Sequence, residues 1–395
     1  MKVLVVHSEL GVLRGGGENF TRNLFSAFAD RGHNVQAAFL ADHKSRYPIP
    51  LPSNIAPIPI PGWWSRNAGQ DFFSFIRGHL PRKDHFRTAW DRLQEAVSWR
   101  ILRWHERRFQ RRVERDFARI WDEFDAIYVH HSAVLASKIA RRRPTILRLP
   151  GPAGAHLAPV LRAVHAVCAN GDALNHIRRF LGDHAVELPI GIDTNRFSPA
   201  GSTIRSDLGW NEGDRVVGYV GRLTHLKGVD LLASAFHEIS RALSDVKLLI
   251  VGRGPEENFI RSVLVEEIGH GRAHIEPDVD HERLSDWYRA MDLLVMPSRY
   301  ENFSNTILEA MACGIPLLAS DVGGNKPLAE TGGGWLFEAA SMSSLVLSLN
   351  RILGTKAEMK ARGEVGCRYI RGRYSWASSA KRLEEIMISR LGVNR

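Results

Sequence analysis

Two rounds of one order, an apolar run, a glycine turn and then a segment with a single apolar helical face, constrain this chain more than any other feature of its sequence. The first round starts with KVLVV at 2–6, passes Gly15, Gly16 and Gly17, and enters a helical pattern with Phe20, Leu24, Phe25 and Phe28 on one face. Gly32 ends that helix, and an apolar run at 35–40 follows. Short unbroken apolar runs alternating with amphipathic helices predict a parallel sheet covered on both faces. Runs at 126–129 and 145–149 extend that sheet.

The second round opens with VVGYVG at 216–221 and proceeds through a helix near 228–243, a strand at 247–252 and helices near 256–268 and 281–291. A strand at 293–297, a helix at 305–313 and a strand at 316–320 complete it. This is a second doubly wound sheet, and from Leu345 to Leu391 only helical periodicity continues.

A chain of 395 residues exceeds one ordinary core and fits two domains. The expected division is 1–198 as an acceptor-side domain, 199–374 as a second domain, and 375–395 as a helix packing back on the first. The proline-rich stretch from Pro48 to Pro61 is expected to be loop. Beyond it lies a basic helical insertion at about 63–121, beginning with Trp63 and Trp64, in which thirteen Lys and Arg stand against six Asp and Glu between Arg77 and Arg119. The net charge of +10 and pI near 9.8 favour polyanionic partners: nucleic acid, an anionic membrane or phosphorylated ligands. Trp99, Leu102, Arg103 and Phe109 mix apolar and cationic character, which suits peripheral contact with anionic headgroups as well as a plain solvated helix face.

No stretch of about 18 apolar residues occurs, so no membrane span is expected. The N-terminal segment lacks a cleavage pattern and reads as a first strand, which leads to a cytoplasmic location, with attachment to the inner face of the cell membrane as the alternative. Cys168, Cys313 and Cys367 are widely spaced and odd in number, which fits neither a disulfide framework nor a metal motif.

The chemistry gathers in the second half. Arg222 and Lys227, with Gly221 and Gly228, place two cations between a strand's carboxyl end and a helix N-terminus, where a diphosphate could be neutralised. Gly252 ends the next strand. Glu301 lies in a loop after the strand at 293–297 and Glu309 one turn into the following helix, so both border one crevice mouth. Between them the backbone N–H groups of Asn302, Phe303, Ser304 and Asn305 can face a ligand. Either cation pair or acid pair alone is a common surface pattern.

In combination these residues resemble the retaining glycosyltransferases of family 4, which have the GT-B fold of two Rossmann-like domains facing a central cleft. The likeness rests on Gly221 to Gly228, on VGRGP at 251–255, on Glu301 to Glu309, on EAMACGIPLLASDVGG at 309–324, and on IGIDTNRFSP at 190–199. It implies an α/β enzyme that takes a sugar from a nucleotide-sugar donor to a glycan or lipid-linked acceptor. Arg222 and Lys227 would bind the diphosphate and assist its departure, Glu309 would contact the ribose, Glu301 the transferred sugar, and Gly15, Gly16 and Gly17 would approach the diphosphate by their backbone. No metal or other cofactor is expected. Three features depart from the pattern: Asn302-Phe303-Ser304-Asn305 follows the first glutamate, Ile190 stands where the interdomain motif has asparagine, and Pro150 stands where many members place a histidine. On the acceptor side the candidates are His130, His131 and Arg148.

Three other readings fit less of the chain. A nicotinamide dehydrogenase would need glycine at position 20, which is Phe20. A nucleic-acid-binding protein would use the basic aromatic segment but leaves the second half unexplained. An epimerase or phosphorylase of the same two-domain build shares the motifs.

Overall fold

The computed structural model describes residues 1–11, 16–41, 49–61, 107–116, 118–199 and 201–393. Gly15, Trp63, Trp64, Trp99, Leu102 and Arg103 lie outside the described residues; of the basic insertion, 107–116 is helical, with Phe109 and Val113 buried.

The chain forms two compact units. One comprises Met1–Ala169, His176–Leu188 and Ser379–Arg395, the other Asn170–Asn175 and Pro189–Ser378. In the first unit β1 (Lys2–Val6), β2 (Asn34–Ala41), β3 (Ile55–Pro61), β4 (Ala126–His130), β5 (Thr145–Arg148), β6 (Ala166–Ala169) and β7 (Ala185–Glu187) build one sheet in the order β3-β2-β1-β4-β5-β6-β7. Its neighbouring strands all pair in parallel. Val3 to Val6 and Ile127 to Val129 are almost wholly buried, as strands covered on both faces must be.

The proline-rich stretch corrects the expectation of loop, because Ile55–Pro61 is a strand. β3 is an edge strand, and Pro57, Pro59 and Pro61 recur with period two opposite Ala37, Phe39 and Ala41 of β2. Alternate residues of a strand point their N–H groups to opposite sides, so prolines at this period can all fall on the unpaired side. The final helix, Trp376–Leu391, belongs to this unit from Ser379 onward and presents Glu384, a buried carboxylate that accepts hydrogen bonds from Arg31 and lies 3.6 Å from His33 Nε2.

The second unit holds β8 (Arg215–Val220), β9 (Val246–Val251), β10 (Ala273–Glu276), β11 (Leu293–Met296), β12 (Leu317–Ser320) and β13 (Gly334–Phe337), parallel in the order β10-β9-β8-β11-β12-β13. Side-chain alternation along β8 divides the core. Val217 and Tyr219 pack with Leu232 and Phe236 of the Val229–Ser240 helix, whereas Val216 and Val220 pack with Tyr288, Ile307, Leu308 and Met311. The second sheet thus has helices on both faces, and both sheets reverse their strand order at the centre.

Candidate active site

In an open parallel sheet, ligands bind beyond the carboxyl ends of the strands where the order reverses. In the second unit that point lies between β8 and β11. After β8 come Gly221 and the exposed Arg222, whose carbonyl accepts a 2.8 Å hydrogen bond from the Tyr219 hydroxyl. A 3-10 turn, His225–Lys227, follows and gives way to the Val229–Ser240 helix through Gly228. After β11 the chain runs through Ser298 and Arg299 to Glu301. Lys227 Nζ donates to Glu301 Oε2 at 2.6 Å, with side chains 20% and 8% exposed, so the pair is largely withdrawn from water.

Arg299 braces these two loops. Its backbone N–H donates to Leu226 O at 2.9 Å, and its guanidinium donates to His225 O and, at 2.8 Å each, to both carboxylate oxygens of Asp230. Burial pulls the Asp230 carboxyl upward, and the hydrogen bonds and charge of Arg299 more than reverse this, leaving it below its usual range. Arg299→Ala is therefore expected to loosen the Lys227 turn and weaken nucleoside diphosphate binding on the order of tenfold in a calorimetric titration. Arg299→Lys should recover only part of this, because lysine lacks the planar fork.

Gly252 closes β9 with φ at 135°, and a Cβ there would stand 2.0 Å from Gly221 O. Only glycine lets the end of β9 lie against the loop that leads to Arg222.

The Asn305–Ala312 helix starts directly after the Glu301 loop. Ser304 caps it, its Oγ accepting from Ile307 N at 3.3 Å, and the helix offers the N–H groups of Asn305 and Thr306 no carbonyl. Asn305 Oδ1 is buried and has no hydrogen-bond partner among the described residues. The Phe303 ring lies 6.0 Å from that of Tyr374. Asn302 faces elsewhere: its Oδ1 and carbonyl accept from Ala173 N at 2.7 Å and Asp172 N at 3.1 Å, capping the helix that begins at Gly171. One turn into the Asn305–Ala312 helix, half-buried Glu309 accepts a 2.8 Å hydrogen bond from the Tyr288 hydroxyl at Oε2. Burial pushes its carboxyl up to about 7, with Tyr288 and then Arg196 opposing the rise.

The first unit reverses its strand order between β1 and β4, and a buried polar cluster sits at that point. Thr21 donates to Gly17 O at 3.0 Å, so in its 3.0 Å contact with His7 the proton belongs to His7 Nδ1. His7 stacks on His130 with ring centroids 4.1 Å apart, and His7 Nε2 lies 3.7 Å from Glu18 Oε1. Burial first, then His7, Arg148 and His131, hold His130 well below the usual imidazole range, so it is neutral at pH 7. Burial raises the Glu18 carboxyl, but hydrogen bonding to His7 and to its own backbone, with the charge of His7, brings it below the usual value. Arg148 is buried, lies over the Phe20 ring at 4.5 Å and donates to Leu188 O at 3.3 Å. His131, by contrast, is exposed, with φ at 66°. Gly17 adjoins the cluster, since a Cβ on it would stand 3.0 Å from His130 Nε2. Motif spacing did not single out His7, Glu18, Thr21, Tyr288 or Arg299. His7 could have been found as the residue after β1, the strand beside the one that ends in His130.

Among the described residues no helix is long and apolar enough to cross a membrane, and no group of three His, Cys, Asp or Glu could hold a metal ion.

The architecture is that of the GT-B glycosyltransferases. Sucrose-phosphate synthase of Thermosynechococcus elongatus superposes with a TM-score of 0.76 over 100% of both chains at 19% identity, a likeness of fold. Residues 202–366 match the family model for glycosyl transferases group 1. The chain is similar to the lipopolysaccharide core biosynthesis mannosyltransferase LpsB of Rhizobium meliloti, 38% identical over 151 residues covering 36% of this chain and 42% of that one. It is also similar to a GDP-mannose-dependent monoacylated alpha-(1-6)-phosphatidylinositol monomannoside mannosyltransferase of Corynebacterium glutamicum, 29% identical over 229 residues covering 54% of this chain and 60% of that one. The chain spans about half the length of the curated relatives it matches.

Proposed function

We propose that this chain is a glycosyltransferase that moves a sugar from a nucleoside diphosphate donor to a glycan or lipid-linked acceptor, with retention at the anomeric carbon. The observation that carries the reading is the Lys227–Glu301 pair at the strand reversal of the second unit, with Arg222 and the N-terminus of the Asn305–Ala312 helix beside it. Such a site joins two cations and a helix N-terminus, which suit a diphosphate, to carboxylates, which suit hydroxyl groups. Two mannosyltransferase relatives, one named for lipopolysaccharide core and one for a phosphatidylinositol mannoside, support a sugar donor and a lipid-linked acceptor.

In this reading Arg222 and Lys227 neutralise the diphosphate as its bond to the anomeric carbon breaks, and the N–H groups at Asn305 and Thr306 add the helix dipole. Glu309 accepts the ribose diol. Glu301, steadied by Lys227, accepts a hydroxyl of the transferred sugar. The acceptor oxygen attacks the face the diphosphate leaves, its proton passes to the departing phosphate oxygen, and no side chain forms a covalent intermediate. The cations supply charge that a metal ion supplies elsewhere, so none is required by the scheme. His130, His131 and Arg148 of the first unit are assigned to the acceptor.

Thermal stabilisation by UDP, GDP and ADP and their sugar conjugates tests the reading. One nucleotide series at a hundredfold excess over its dissociation constant should stabilise the protein by about 2.7 kcal/mol, and Arg222→Ala should abolish most of that shift. A melting temperature indifferent to every nucleotide would remove the donor site. Transfer of labelled sugar to an alcohol acceptor separates the transferase from an epimerase of the same build.

A further inference from the structure

The ribose carboxylate does not stand alone. Tyr288, on the Leu284–Arg289 helix, is fully buried, and its hydroxyl donates to Glu309 Oε2 at 2.8 Å. Its ring is wedged edge-on against Phe197 with centroids 5.9 Å apart, so the hydroxyl has little freedom to turn away. A carboxylate that receives two hydroxyl groups of a vicinal diol must hold its plane toward them and must be ionised, because a protonated oxygen donates where the diol needs an acceptor. A carboxyl without a partner can rotate about its side-chain torsions, and burial favours its neutral form.

We propose that Tyr288 is a positioning residue for donor capture: its buried hydroxyl fixes the plane of the Glu309 carboxylate and favours the charged form that accepts the ribose diol. This rests on Glu309 being the ribose carboxylate. Arg196 acts on Glu309 from the segment preceding the second unit's sheet, and Thr306, one turn earlier on the same helix, hydrogen-bonds Tyr288. Cys313 faces Tyr288, and Arg289 faces Cys313 in turn. Tyr288 itself is held far above its usual range, by burial first and then by the charge of Glu309, so it remains a donor at every pH at which the protein works. Glu309 is the titrating member, at about 7. Diol recognition should therefore strengthen as pH rises through that value and level off above it, and losing the hydroxyl should move the rise upward.

The experiment compares each nucleoside diphosphate with its 2′,3′-dideoxy analogue by calorimetry from pH 5.5 to 9, in the wild type, Tyr288→Phe and Glu309→Gln. The ratio of the two affinities cancels titration of the phosphates, which both ligands share. In the wild type the ratio should climb with a midpoint near pH 7. In Tyr288→Phe it should fall on the order of tenfold at pH 7 and recover to within about threefold by pH 9, a midpoint shift of about one unit. A Tyr288→Phe curve that superimposes on the wild-type curve overturns the role of Tyr288 while leaving the ribose assignment intact. A full diol preference in Glu309→Gln overturns the ribose assignment and the proposal with it. If Tyr288→Phe does not fold, 3-fluorotyrosine placed at position 288 carries the test: its more acidic hydroxyl should move the midpoint downward, and an unmoved midpoint overturns the role of Tyr288.

Discussion

Replacing Lys227 with methionine is expected to lower turnover on the order of 10²- to 10³-fold and to destabilise the protein by about 2–4 kcal/mol. The two effects have different origins. The kinetic loss follows from the proposed role of Lys227, a cation aimed at charge that grows on the diphosphate as it leaves. The loss of stability comes from Glu301, whose side chain is 8% exposed and receives a 2.6 Å hydrogen bond from Lys227 Nζ. Without that partner a carboxylate is left charged where little water reaches it, which costs more than the net worth of the intact pair. The residual exposure of the lysine, 20%, keeps the expected cost at the lower end for a broken buried pair. The double variant Lys227→Met, Glu301→Gln removes both charges and should recover most of the stability and none of the turnover. Denaturant unfolding and single-turnover rates on the three proteins make the measurement. A fully active Lys227→Met enzyme would remove this lysine from the chemistry, and a double variant as unstable as the single one would remove the desolvation argument.

The central strands of both sheets were legible because a strand buried on both faces has to be apolar throughout, as VVGYV and LLVM are. The strands that escaped notice are mostly the edges. β3, β7, β10 and β13 end the two sheets, and only the short β6 is interior. An edge strand pairs on one side alone and tolerates residues that blur a sequence pattern: prolines in IAPIPIP, a histidine and a glutamate in AHIE, glycine in GWLF. The site divides in a similar way. The residues proposed to serve a ligand, Lys227, Glu301 and Glu309, leave a local trace in their spacing. Their supports do not, because Arg299 reaches Asp230 across 69 positions and Tyr288 reaches Glu309 across 21. The adjacent histidines of the first unit show the limit most plainly. Sequence gives them equal standing, yet the end of β4 buries His130 against His7 and turns His131 to solvent with a positive φ.

Gly228→Ala should cost on the order of 3 kcal/mol and lower the melting temperature by roughly 6–12 °C, although the added methyl group touches no ligand. Gly228 has φ at 69°, in the left-handed region, where an L side chain costs about 1–2 kcal/mol in any surroundings. Here the surroundings add to it. A Cβ would stand 1.9 Å from the carbonyl oxygen of Pro297 and 2.7 Å from its carbon, and this is backbone that cannot swing aside as a side-chain tip can. Pro297 leads from β11 through Ser298 and Arg299 to Glu301, so relief of the overlap has to push apart the two loops that carry Lys227 and Glu301. Stability and nucleotide affinity are thus expected to fall together, unlike the Lys227→Met, Glu301→Gln protein, which should regain its stability without regaining turnover. In the Lys-Gly pair at 227 and 228 the lysine meets the Glu301 carboxylate and the glycine lets the chain turn tightly enough to bring it there. Melting curves with and without the stabilising nucleoside diphosphate give both quantities in one series. A Gly228→Ala protein that melts within 2 °C of the wild type (roughly 1 kcal/mol or less) would mean that the loops separate at little cost, and would remove the close approach as the reason for glycine at this position.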